Sequence, residues 1–271
     1  MPEPSLDFDP ALIVAPFRMQ PGLRRLPTGA PQLTALDPAS RLFAEKRRVV
    51  VAGAARHAVP GFDPGPAMAA LAAQARDQGL AWPADDRPEL AFEEDFAVLD
   101  GATGSLPWLS VCVPSHWAPE DKLGLDFAAL HGHVADNTLL LAAGPQLVEL
   151  ATSGERWERH VWTLTPSPRH DQHPRRHGRE PWPAGMDPEA FAQATWLRAE
   201  RQTFLPVGGG TRQAVFTIRV MLARLQDAIA TPDDSRRLHD ALASMTPAVL
   251  AYKGLAAARE PLLRWLSSRM A

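Results

Sequence analysis

The stretch WLRAERQTF, residues 196 to 204, sets Arg198, Glu200, Arg201 and Gln202 within five positions of a segment whose flanks read as a strand. Successive side chains of a strand point to opposite faces. Arg198, Glu200 and Gln202 therefore share one side with Trp196, and Arg201 shares the other with Leu197, Ala199 and Thr203. A second apolar run, QAVFTIRVML (213 to 222), carries Arg219 and follows three glycines at 208 to 210. Glycine permits the backbone of a tight turn, so the two runs read as a hairpin. Charge on both faces of an interior hairpin is either a functional wall or a structural ion pair.

Three other groups of residues bear on chemistry. His170, His173 and His177 follow an H-x2-H-x3-H spacing with Asp171 among them, a pattern able to ligate zinc and build a hydrolase. Pro174 interrupts any helix that would align them, and neighbouring arginines repel a dication, so a solvated basic loop is the favoured reading. Ser115 and His116 are adjacent on an extended segment, where side chains diverge, and no G-x-S-x-G elbow surrounds the serine. His131 ends a predicted amphipathic helix on a stripe with Leu123, Phe127 and Leu130. Such a histidine is either a capping residue or a proximal haem ligand, a role that needs one protein side chain.

The elements that position these residues alternate between periods of two and 3.6. Strands are expected at 48–60 (short, with a turn), 95–100, 107–114 and 155–167, besides the hairpin. Helices are expected at 66–82, at 118–134 from Pro119, and at 137–150, the last apolar nearly all round. Further helices follow the hairpin, the final one starting at Pro247. Strands cluster apart from helices, so the class is α+β, an antiparallel sheet with a helical insertion. The expected organisation is an N-terminal arm and helical extension over 1–90, a core over 91–222 and C-terminal helices over 223–271, all in one globular unit.

Bulk composition narrows the function. The chain has 271 residues, 28 basic against 31 acidic, and a formal charge of -3, which argues against a nucleic-acid binder. No secretory signal and no transmembrane run of about 20 apolar residues is visible, so a cytoplasmic protein with no membrane association is expected. The single cysteine, Cys112, excludes an internal disulfide and an iron–sulfur cluster held by this chain alone.

Several stretches, taken together and in order, resemble a known family: PSHWAPEDKLGLDFAALHGHV, LRAERQTFLPV with AVFTIRVML, and MTPAVLAYKGL. They resemble the haem-binding alpha subunit of haem-dependent oxidative N-demethylase over roughly residues 90 to 255. The resemblance implies a PAS-like antiparallel sheet of about five strands with helices across one face, holding haem b. It implies His131 as the axial iron ligand, although the helix ends LHGHVAD where the family carries a proline-containing turn, which brings His133 into play.

The implied activity is oxygen-dependent N-demethylation of a small methylated amine such as dimethylamine. Electrons would come from NADPH through partner subunits carrying FMN and an iron–sulfur centre, and a homo-oligomer is compatible with this. Glu200 would then offset the charge of the amine. Arg201 or Arg219 would polarise oxygen or hold a haem propionate. Tyr252, the only tyrosine, would donate a hydrogen bond in the pocket. A haem-based gas or redox sensor, or a haem carrier, is the alternative on the same fold.

Overall fold

The computed structural model describes residues 8 to 270; the first seven residues of the expected arm, and Ala271, lie outside the described residues. The hairpin forms as the alternation predicts. Strands β6 (Trp196–Pro206) and β7 (Gln213–Arg224) pair antiparallel from Trp196 opposite Arg224 to Pro206 opposite Ala214. Gly208, Gly209 and Gly210 take φ of 80°, 63° and 76°, the left-handed region that side chains with a Cβ rarely enter. β1 (Arg24–Arg25), β2 (Arg56–Ala58), β3 (Glu94–Asp100), β4 (Trp108–Ser110) and β5 (Trp157–Thr165) complete the sheet. Its order among the described residues is β1-β5-β6-β7-β3-β4-β2, with every pairing antiparallel.

The α+β class holds, but the sheet has seven strands where about five were expected, because two- and three-residue strands extend its edges. Helices also lie on both faces. The first helices are α1 (Arg41–Val51), α2 (Gly65–Asp77) and α3 (Pro88–Ala91), and the insertion between β4 and β5 holds α4 (Phe127–His131), α5 (Thr138–Ala142) and α6 (Gly144–Ala151). α7 (Pro188–Gln193) precedes β6, and α8 (Leu225–Ala228), α9 (Pro232–Ala243), α10 (Pro247–Lys253) and α11 (Arg259–Ser267) follow β7. On the face carrying Leu197, Ala199, Met221 and Ala223, the C-terminal helices bury Leu238, Leu262 and Trp265. On the same side α2 packs Leu71 and Ala75 against Phe96, Val98 and Val215. On the opposite face α1 sets Leu42, Val49 and Val50 near Ile218 and Val220, and the rest of that face opens onto a cavity.

Four expected elements differ. RRVVV, a β-branched run expected to start a strand, ends helix α1. Ser40 caps that helix by accepting the Phe43 amide at 3.0 Å, and tertiary contacts fix its inner side. Lys46, fully buried, donates to the carbonyls of Phe92, Glu93 and Glu94 at 2.8–3.0 Å and lies 3.2 Å from Asp95. The helix expected over 118–134 is cut to a 3-10 turn at Pro119–Asp121 and the five residues of α4, because Gly124 takes φ 73° and Asp126 caps a fresh helix. The 137–150 segment divides at Gly144-Pro145, and Leu139 is 75% exposed rather than buried. The final helix divides at Gly254, which adopts φ 69°.

Glu94 makes the fold pH-sensitive. One of its oxygens accepts the Thr34 amide at 2.9 Å, and the other is buried without a partner. Burial pushes its pKa up to about 7, against the opposing Thr34 hydrogen bond and the charge of Arg219. A group whose folded pKa is raised contributes stability that is complete below its unfolded pKa, near 4.5, and lost as pH rises through about 7. Thermal unfolding of Glu94→Gln should lack this loss, which is on the order of 3 kcal/mol between pH 4.5 and 8. Parallel pH profiles for the two proteins would refute it.

Candidate functional site

A cavity of about 890 Å³ lies between the Glu200 face of the sheet and helices α4–α6 and α10, with the arm residues 12–24 along one side. That volume sits in the upper part of the range for ligand pockets, about 300–1,000 Å³. Leu99, Leu109, Leu140, Val148, Phe204 and Phe216 give it apolar walls. The polar groups fall into two sets, one on the sheet and one on the helices.

On the sheet, strand alternation delivers Arg198, Glu200 and Gln202 from β6 and Arg159, cross-strand from Gln202, from β5. One Glu200 oxygen accepts the Ser115 hydroxyl in a very short hydrogen bond, and the other accepts Gln202 Nε2 at 2.7 Å. Arg198 is fully buried and donates through Nε to Ser115 Oγ at 2.8 Å. Its Nη atoms reach the carbonyls of Val113 at 3.0 Å and Arg169 at 3.3 Å. Burial lowers its pKa to about 10, against the carboxylates around it, chiefly Glu200, so it remains cationic near neutrality. The Arg159 Nε is buried with no hydrogen-bond partner. Burial lowers the Arg159 pKa while Glu200 and Tyr252 oppose the shift.

On the helices, the C-terminal end of α10 presents Tyr252 and Lys253 to the cavity. Lys253 Nζ donates to the Trp162 carbonyl at 2.8 Å and sits over the Phe17 ring at 5.1 Å; burial lowers its pKa to about 8. Burial and then Glu200 raise the Tyr252 pKa. This end is fixed by Trp182 Nε1 on the Gly254 carbonyl at 2.7 Å and by Arg179 on the Lys253 carbonyl at 3.1 Å.

From α4, His131 Nδ1 lies 2.8 Å from the Phe127 carbonyl, so it carries the proton and leaves Nε2 as a lone pair with no hydrogen-bond partner among the described residues. The ring stacks on Phe127 at 4.1 Å between centroids, and burial lowers its pKa, favouring the neutral, ligating form. His116 also lines the cavity, its pKa pushed to about 4 by burial and then by Arg179 and Arg198. His133, more exposed, lies 6.2 Å from the Tyr252 ring.

Glu200, Tyr252 and His131 thus share one cavity, whereas Arg201 and Arg219 do not reach it. They face each other across β6 and β7 on the opposite side of the sheet, as odd-numbered residues must when Glu200 faces inward. Arg201 Nε pairs with Glu158 at 3.1 Å and its Nη1 reaches the Pro31 carbonyl; Arg219 Nε pairs with Glu93 at 2.6 Å. Both serve as structural ion pairs. The three histidines of the loop do not converge either. His173 faces Glu120 at 3.1 Å, His177 faces Asp171 at 3.3 Å, and His170 lies 3.7 Å from Glu45. Among the described residues no group of three or more His, Cys, Asp or Glu side chains could hold a metal ion, so the loop does not form the zinc site that its spacing suggests.

Arg159, Ser115 and Lys253 were not anticipated as wall residues. Arg159 has a readable signal, the alternation of WERHVWTLT, but its register against Gln202 is not in the sequence. Among the described residues no helix is long and apolar enough to cross a membrane. A protein-family comparison matches residues 90–263 to the description "haem-dependent oxidative N-demethylase, alpha subunit-like". The match spans β3 to α11, which takes in Glu200, His131, Tyr252, Arg159 and Arg198 and well over half of the chain. The chain belongs to the haem-dependent oxidative N-demethylase, alpha-subunit-like family.

Proposed function

We propose that this chain is the haem-binding catalytic subunit of an oxygen-dependent N-demethylase acting on a small methylated amine such as dimethylamine, in the cytoplasm. The observation that carries the reading is the presence, in one cavity, of an imidazole with an open Nε2 and a carboxylate pinned at both oxygens.

The residues fit a haem. The cavity has apolar walls for the macrocycle, and the Nδ1 hydrogen bond to the Phe127 carbonyl would hold the ring of a histidine ligand in one orientation. The Arg159 Nε, buried without a partner, and the Lys253 ammonium supply cations for propionates. No C-x-x-C-H attachment sequence is present, so the haem would be non-covalent b-type. Bound haem would supply the oxygen activation that oxidises an N-methyl group.

The chain's own residues bind and orient the amine. Each Glu200 oxygen accepts one internal donor and keeps a further lone pair, so the carboxylate can accept N–H bonds from an ammonium. Ser115 and Gln202 fix its direction, and Arg198 holds Ser115 in turn. Reduced screening by water strengthens the attraction of the cation to Glu200 and its repulsion from Arg159 and Arg198 alike, so the amine must sit on the carboxylate side away from those guanidiniums. The Tyr252 hydroxyl, on the Glu200 side of the cavity, provides a donor or a proton acceptor. Electrons would enter through partner subunits carrying FMN and an iron–sulfur centre, with NADPH as the source. A haem-based sensor or carrier would use the same cavity without turnover.

Absorption spectroscopy of protein expressed with ample haem tests this reading. A Soret band is expected, perturbed by dimethylamine, with formaldehyde released once an electron donor is supplied. Absence of a Soret band refutes the haem site; haem without amine binding or formaldehyde favours the sensor or carrier.

Gly144 gives a further expectation. A Cβ there would come 2.8 Å from Phe127 Cδ1, on the ring that stacks against His131. Gly144→Ala should displace Phe127, misalign His131 and weaken haem retention about tenfold, the lower end of what disturbing a ligand's own support costs. Unchanged haem affinity would show that Phe127 moves without consequence.

A further inference from the structure

A second cavity, of about 330 Å³, lies between one side of α1 and the loop 169–177 and shares no lining residue with the proposed haem pocket. The i, i+3, i+4 spacing of α1 turns Arg41, Ala44, Glu45 and Arg48 toward it, and the loop contributes Arg169 and Arg176. The two carboxylates that line it are already engaged. Glu45 accepts Arg41 Nε at 2.9 Å and the Asp171 amide at 2.7 Å, and its pKa is held at about 2 against burial by His170 and those bonds. Asp171 receives a two-pronged pair from Arg176 at 2.8 and 2.9 Å and approaches His177 at 3.3 Å.

The cations are not engaged to the same degree. Arg48 has no carboxylate within ion-pair distance among the described residues, and Arg169 meets Glu180 only at 3.7 Å. Four guanidiniums against two carboxylates leave the cavity with a formal charge of +2 with His177 neutral. Its floor is short-chained, Ala44, Val49 and Ala52, which leaves room between the two charged walls.

We propose that this cavity binds a phosphate-bearing small molecule, its phosphoryl oxygens held between Arg48 on α1 and Arg169 on the loop. Guanidinium forks favour an anion that offers several oxygens in different directions, and a diphosphate can bridge the two walls where a single carboxylate meets one. Nothing in this assignment depends on haem or on the amine.

The test is calorimetric titration of the purified full-length chain with sodium pyrophosphate at low ionic strength, with adenosine diphosphate and succinate as comparisons. Saturable pyrophosphate binding is expected, weakened about tenfold or more in the double variant Arg48→Gln/Arg169→Gln, where two charge-assisted contacts are lost. Tighter binding of adenosine diphosphate would place a nucleoside beside the phosphates, and equal binding would assign the phosphate alone; both support the site. Both arginines are exposed, so the variant should fold, and an unchanged thermal midpoint checks this. Absence of saturable pyrophosphate binding, equal affinity in the variant, or succinate binding as tightly as pyrophosphate would each overturn the proposal.

Discussion

His131→Ala, expressed with ample haem, emerges with little or no Soret absorbance, whereas His173→Ala retains haem at the level of the parent. The difference follows from what each imidazole does. His131, on the cavity wall, has one nitrogen tied to the Phe127 carbonyl and one without a hydrogen-bond partner among the described residues, while His173 uses both, one toward Glu120 and one accepting the Arg175 amide. Removing a ligand should cost at least as much as removing an outer-shell partner, so haem affinity should fall by about a hundredfold or more. His133→Ala completes the comparison, because that ring is a second imidazole on the cavity wall. Loss of haem in His133→Ala with retention in His131→Ala would transfer the ligand assignment to His133; equal spectra in all three would refute an axial histidine on this segment.

Glu200→Gln should bind dimethylamine about ten- to a hundredfold more weakly and release formaldehyde more slowly, while keeping its haem. The substitution preserves shape and removes the charge, and hydrogen bonds to charged groups are worth about 1.5–3 kcal/mol. The variant also loses an acceptor, since an amide NH2 cannot receive both the Ser115 hydroxyl and the Gln202 amide that the carboxylate receives. Ser115→Ala separates the two effects. It keeps the charge but frees one oxygen and leaves Arg198 Nε without its partner, so amine affinity should drop less than in Glu200→Gln. Wild-type amine affinity and turnover in Glu200→Gln would reduce Glu200 to a structural role.

The hairpin and its charged faces were legible in the sequence because alternation is a local property. From WLRAERQTF alone, Arg198, Glu200 and Gln202 had to share a face and Arg201 had to leave it. Assigning Arg201 and Arg219 to the pocket set aside that same alternation, and the ion pairs with Glu158 and Glu93 show where they went. Arg159 was hidden because its place beside Gln202 depends on strand register, which one sequence does not contain. The α1 helix was hidden for a different reason. Its C-terminal turn carries a β-branched run, and the contacts that decide its conformation, from Lys46 to three carbonyls around Glu93, join residues 46 positions or more apart. Hydrophobic spacing predicts a far longer His131 helix than forms, because that spacing continues through the turn that Gly124 imposes.

The division of labour between the two faces of β6 makes this strand intolerant of changes in length. Deleting or inserting one residue between Trp196 and Glu200 would keep the composition of the segment yet exchange the sides of everything beyond it. A deletion would carry Arg201 into the inward position of Glu200 and leave that wall without its carboxylate, whereas an insertion would carry Glu200 into the place of Arg201 beside Glu158. The three-glycine turn has no such constraint on its length, because Gly208, Gly209 and Gly210 lie past the last paired residues. Homologous chains should therefore vary in length at the hairpin tip while holding the spacing from Trp196 to Gln202 fixed, and a laboratory insertion scan should show the same boundary.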